Sequence, residues 1–139
     1  MRLANKIVEK MINNDAFSQW LGIEVLEITD GACKLKMTVR EEMTNGFNIA
    51  HGGISYSLAD SALAFAANSD GIQSLSIETS ISHTKKVMSG DILIAETKEI
   101  SRDNKNAIYN INITNQNNIE VAHFQGKVYR TKKEWFPKN

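Results

Sequence analysis

The stretch NGFNIAHGGISYSLADSALAFAANSDG, residues 45–71, decides how the rest of the chain must be arranged. Between positions 43 and 69, Asp60 stands alone among Asp, Glu, Lys and Arg. The helical part is built from Ile54, Tyr56, Leu58, Ala59, Ala62, Leu63, Ala64, Phe65, Ala66 and Ala67. A helix that is apolar nearly all round is a buried helix, and its alanine faces let a sheet wrap closely around it. An unpaired carboxylate is expensive in that setting. Asp60 must find hydrogen-bond donors, shift its pKa upward or sit at an opening to water. A capped or partly exposed structural aspartate meets the same constraint.

Outward from this segment the hydrophobic period changes to two. Upstream, Cys33, Leu35, Met37 and Val39 alternate with Lys34, Lys36, Thr38 and Arg40 after a turn at Asp30-Gly31, which reads as a hairpin with one wet face. Downstream, Leu75, Ile77, Thr79 and Ile81 alternate with Ser76, Glu78, Ser80 and Ser82, and residues 92–100, 107–114 and 119–130 supply three more strands. Turn-rich separators lie at 85–90, 101–105 and 115–118. Residues 3–19 place Leu3, Ile7, Met11 and Ile12 at helical spacing, an amphipathic helix lying on something larger. The order helix, two strands, central helix, four strands implies an α+β fold with an antiparallel sheet covering the central helix.

The chain has 139 residues, the size of a single domain, here 1–139 with a core at about 21–130. Sixteen Lys and Arg balance sixteen Asp and Glu, so no overall field recruits nucleic acid or an anionic membrane. Cys33 is the one cysteine and sits on the apolar face of its strand, which favours packing over nucleophilic catalysis, and no Cys/His cluster has zinc-site spacing. Lys6, Glu9, Lys10 and Asp15 interrupt any signal-peptide apolar region, and no run approaches the ~20 apolar residues of a membrane span. A cytoplasmic protein without metal or bound cofactor is expected.

The start of the central helix supplies a second clue. His51-Gly52-Gly53 precedes the helical run, and glycines there expose backbone N–H groups that a carbonyl oxygen or oxyanion can approach. Taken alone, glycine before a helix is usually just a turn. Gly52 and Asp60 are eight residues apart, which on a helix is roughly 12 Å along the axis, too far for one reacting carbon to meet both. Two copies packed about a two-fold axis with these helices antiparallel would bring Asp60 of one to the helix N-terminus of the other. The positive end of that helix would help keep Asp60 ionised.

The pattern Asn45-x5-His51-Gly52-Gly53-x6-Asp60 resembles the hotdog-fold acyl-CoA thioesterases, most closely the phenylacetic-acid-degradation subfamily, with HGG followed by SLAD and a helix ending near NS-x-G. The resemblance runs from about residue 21 to 130. It implies hydrolysis of an acyl-CoA to a carboxylate and free CoA, in homodimers with composite sites that pair into homotetramers. Asp60 matches the acid that activates water or attacks the thioester carbonyl, and Gly52 matches the N–H donor from the partner subunit. Asn45 and His51 match polar positions that shape the loop around the thioester, and Ser76 falls where some relatives carry a serine that holds the attacking water. Gly53, Phe47 and Tyr56 are candidate substrate contacts, and Lys85 and Lys86 are candidates for the phosphates of coenzyme A. Asn48 stands where relatives commonly have glycine, a position Asn can fill because it tolerates left-handed backbone angles. Lys85-Lys86 replaces a common Arg-Pro, keeping charge and losing rigidity.

Other readings are weaker. His83 and His123 have no acid or serine partner visible in sequence and read as ordinary histidines. Trp20, Trp135 and Phe136 read as packing for terminal segments. A non-catalytic acyl-CoA sensor would use the same pocket without hydrolysis, and a dehydratase would need a differently patterned helix.

Overall fold

A computed structural model describes residues 2–137. Six strands form one antiparallel sheet in the order β1-β2-β4-β5-β6-β3. They are β1 (Glu24–Thr29), β2 (Ala32–Thr38), β3 (Ile72–His83), β4 (Ile92–Arg102), β5 (Asn106–Thr114) and β6 (Glu120–Glu134). The central helix, α3 (Gly52–Asn68), packs against β2 through β6. Ten of its residues are buried, Leu58, Ala59, Ala62 and Leu63 almost completely.

Small residues make this wrap possible. A Cβ on Gly126, in the middle of β6, would lie 2.5 Å from Leu63 Cδ2, so any larger residue there would force the buried Leu63 side chain to shift. The hairpin places Cys33, Leu35, Met37 and Val39 in the core, and burial pushes the Cys33 thiol up to about 12, where it is inert. Beyond α3, the carboxylate of Asp70 takes a guanidinium N–H from Arg102 and one from Arg130, each at 2.6 Å, tying the helix exit to β4 and β6.

Two expectations need correcting. The amphipathic segment at 3–19 is two helices, α1 (Leu3–Asn13) and α2 (Ala16–Leu21), because Asp15 caps the second, its side chain accepting from the Ser18 N–H at 2.9 Å. Within β3, the alternation does not put every apolar residue inside. Register shifts against β6, one between Ile72 and Ser74 and a bulge at Ile77, break the alternation, leaving Leu75 and Ile77 67% and 56% exposed. β3 is an edge strand, twelve residues long and paired only to β6 among the described residues.

Candidate active site

Five of the site residues singled out in sequence line two separate cavities, and Asn45, Phe47, His51, Gly53 and Tyr56 line neither. The first, about 350 Å³, is lined by Asp60, Leu63, Ala64 and Asn68 of α3, by Ser74, Leu75 and Ser76 of β3, and by Met11, Gln73, Val128 and Trp135. The second, about 370 Å³, lies at the helix N-terminus and holds Gly52, Ser55, His83, Lys85 and Lys86. Asp60 and Ser76 are thus brought together, as are Gly52 and the two lysines. The two groups are not brought to each other within one chain.

Asp60 is half-buried with its pKa raised, chiefly by burial and secondarily by the charge of Asp15. Asp15 lies at the break between α1 and α2, its carboxylate held by Ser18. Ser18 Oγ donates to Asp15 Oδ2 at 2.5 Å, and since that uses its one proton, Ser61 must donate to Ser18 across 2.8 Å. A hydrogen-bonded line therefore runs from Asp15 to the residue next to Asp60. The signal for Asp15 in the sequence is D-x-x-S ahead of a helical run, a cap signature that places a helix break there.

At the other end, His51 is the N-cap of α3, extended in backbone (φ −54°, ψ 140°) and making no side-chain cap. The N–H groups of Gly52 and Gly53, the first two residues of α3, have no intrahelical acceptor. The His83 ring lies over Gly52, its Nε2 3.2 Å from where a Cβ would be, whereas Gly53 faces open space. The loop before the helix is held by Asn45, whose Oδ1 accepts from the N–H groups of Phe47 at 2.9 Å and Ile49 at 3.3 Å. Asn48 adopts φ 62°, the left-handed backbone expected of it. Phe47 is 81% exposed at the loop tip. Tyr56 points elsewhere, with its hydroxyl on Thr79 and its ring edge-on to Phe124 at 5.4 Å. His123 bonds Asn112 on the outer face of the sheet, away from both cavities. Trp20 stacks on Phe17 under the Arg40 guanidinium.

The thioesterase superfamily model matches residues 47–122, which include Gly52, Asp60 and Ser76. A putative esterase of Archaeoglobus fulgidus is 38% identical over 136 residues, covering 98% of this chain and 88% of its own. The acyl-coenzyme A thioesterase PaaI of Escherichia coli is 36% identical over 120 residues, 86% of each chain. The solved structure of E. coli PaaI, from the phenylacetic acid degradation operon, superimposes with a TM-score of 0.92 at 34% identity, covering 94% of this chain and 95% of that one. With a helix-in-sheet fold common to both and the match spanning most of each protein, the chain belongs to the thioesterase superfamily and has the hotdog fold.

Proposed function

We propose that the protein hydrolyses acyl-CoA thioesters in a homodimer, each site using Asp60 of one subunit and the Gly52 N–H of the other. The observation that carries this reading is the separation of the two cavities. Each holds half of an acyl-transfer site, one a carboxylate beside a serine, the other a helix N-terminus beside two lysines. Pairing the free edge of β3 with its copy would cover Leu75 and Ile77 and extend one sheet through both subunits, a natural use of a long apolar edge. Two such dimers then form the tetramer.

In this arrangement the thioester oxygen accepts from the partner's helix terminus, which polarises the carbonyl. Asp60 either removes a proton from water held by Ser76 or attacks the carbonyl carbon itself. Lys85 and Lys86, exposed beside Gly52, meet the CoA phosphates as point charges. Asn45 and His51 keep the loop and helix entry in shape, and Gly53 leaves room for the substrate to pass. Phe47 closes over the entrance, and Tyr56 supports the site from the core side. A lone buried thiol suits a reducing compartment, and we assign the cytoplasm.

Release of free thiol from a panel of acyl-CoA esters tests the reading. Turnover of aromatic or medium-chain esters is expected; tight binding of the panel without thiol release would replace the enzyme with a ligand sensor.

A pH effect follows from Asp15. Asp60 works ionised, and the charge of Asp15 raises its pKa, so removing that charge must lower it. In Asp15→Asn the acid limb of the kcat/KM profile is expected to move to lower pH, while the α2 cap survives because Asn caps as well as Asp. An acid limb that stays in place or moves upward would separate Asp15 from the reaction.

A further inference from the structure

The cavity that holds Asp60 is closed by the two ends of the described chain, both outside residues 47–122 matched by the family model. We propose that α1 and the segment after β6 form the blind end of the acyl pocket, where Met11 and Trp135 select unsubstituted apolar acyl groups of medium size. The proposal rests on the thioesterase reading above and names its substrate class.

Asp60, Leu63, Ala64 and Asn68 follow one stripe of α3. An acyl group that leaves the reacting carbon at Asp60 and runs along this stripe has about 12 Å before it reaches Asn68. There it meets a polar side chain with nothing left to offer. The Asn68 amide donates to the carbonyls of Ala64 at 2.8 Å and Ser74 at 3.2 Å, and its oxygen accepts from the Ser74 N–H at 2.8 Å and the Trp135 indole N–H at 2.9 Å. Two donors and two acceptors exhaust a carboxamide.

The other polar side chains near that end bond elsewhere or lie at the reacting end. Ser74 Oγ donates to the Ile72 carbonyl, Gln73 donates to the Glu134 carbonyl at the exposed edge, and Ser76 stands with Asp60. A hydroxyl or carboxylate brought against Asn68 at the far end of an acyl group would therefore find no free site on that amide, which is unfavourable.

The wall itself is held from several sides. The backbone N–H of Trp135 donates to the Gly71 carbonyl at 2.9 Å, and Glu134 pairs with Ile72, fixing the indole over the helix exit. The Lys10 ammonium lies 5.3 Å from the Phe136 ring centroid, and Leu3 packs on Gly71, so α1 and the tail are fastened to each other and to the turn after α3. Met11 contributes a flexible thioether to this wall, so its size sets the depth of the pocket.

The test is the ratio of kcat/KM values within each variant, read with acetyl-, hexanoyl-, octanoyl-, decanoyl-, phenylacetyl- and 4-hydroxyphenylacetyl-CoA. Met11→Ala is expected to raise the decanoyl-to-hexanoyl ratio about tenfold, and Met11→Phe to lower it by a similar factor. Trp135→Phe keeps most of the volume but frees one acceptor site on Asn68, and is expected to raise the 4-hydroxyphenylacetyl-to-phenylacetyl ratio at least several-fold. Ratios unchanged from wild type in all three variants, with the wild type active, would overturn the proposal and leave the thioesterase reading standing. A wild type that releases no thiol from any ester would overturn both.

Discussion

Asp60→Asn is expected to lower kcat for acyl-CoA hydrolysis by about 10³-fold or more, within the range for a positioned acid–base group and beyond it if the carboxylate is the nucleophile. The amide has the same shape but neither accepts a proton from water nor attacks a carbonyl carbon. KM should change little, because the carboxylate acts on the transition state rather than on the CoA body. Stability separates this outcome from simple unfolding. Asp60 has a raised pKa in the folded chain, so its ionisation opposes folding. Below the ordinary carboxylate value both folded and unfolded states are protonated and the cost is absent; it grows as pH rises toward and through the folded value. At neutral pH the variant should therefore melt at or above the wild-type temperature. A variant that retains wild-type kcat would remove Asp60 from the chemistry.

The second large effect is expected at Gly52. As the first residue of α3 it occupies the position where proline is best tolerated, since its N–H has no intrahelical acceptor. The preceding His51 already has the extended backbone that proline demands of its predecessor. Gly52→Pro therefore deletes one hydrogen-bond donor and keeps the helix start. Loss of an oxyanion donor costs about 10²–10³ in kcat. The ring also adds a Cβ toward His83, whose Nε2 is 3.2 Å away and whose side chain is exposed enough to shift by a few tenths of an ångström. Gly52→Ala adds that Cβ without removing the N–H, so the difference between the two variants isolates the donor. Equal losses in both would assign the effect to crowding against His83.

The buried helix was legible because residues 45–71 combine near-complete apolarity with a single charge, and the hairpin because Asp30-Gly31 precedes a strict alternation. Strand order was less so. β4 lies between β2 and β5, while β3 lies at the far edge beside β6, and nothing local in sequence specifies that crossover. Leu75 and Ile77 look like core residues in any period-two reading; the register shifts that turn them outward depend on pairing with β6, which sequence does not reveal. The separation of Gly52 from Asp60 was readable from helical rise alone. The nearness of the Asp15 charge to Asp60 and of Met11 and Trp135 to its cavity was not, because each depends on tertiary packing of a terminal segment.

The measurement that tests the account most directly uses the two damaged proteins together. Asp60→Asn and Gly52→Pro, co-expressed in equal amounts, give about half mixed dimers by random pairing, each with one site carrying both defects and one carrying neither. Thiol release is therefore predicted to recover to about one quarter of the wild-type rate, far above either variant alone. A mixture no more active than its parents, with mixed dimers demonstrably formed, would contradict a site built from Asp60 of one subunit and Gly52 of the other.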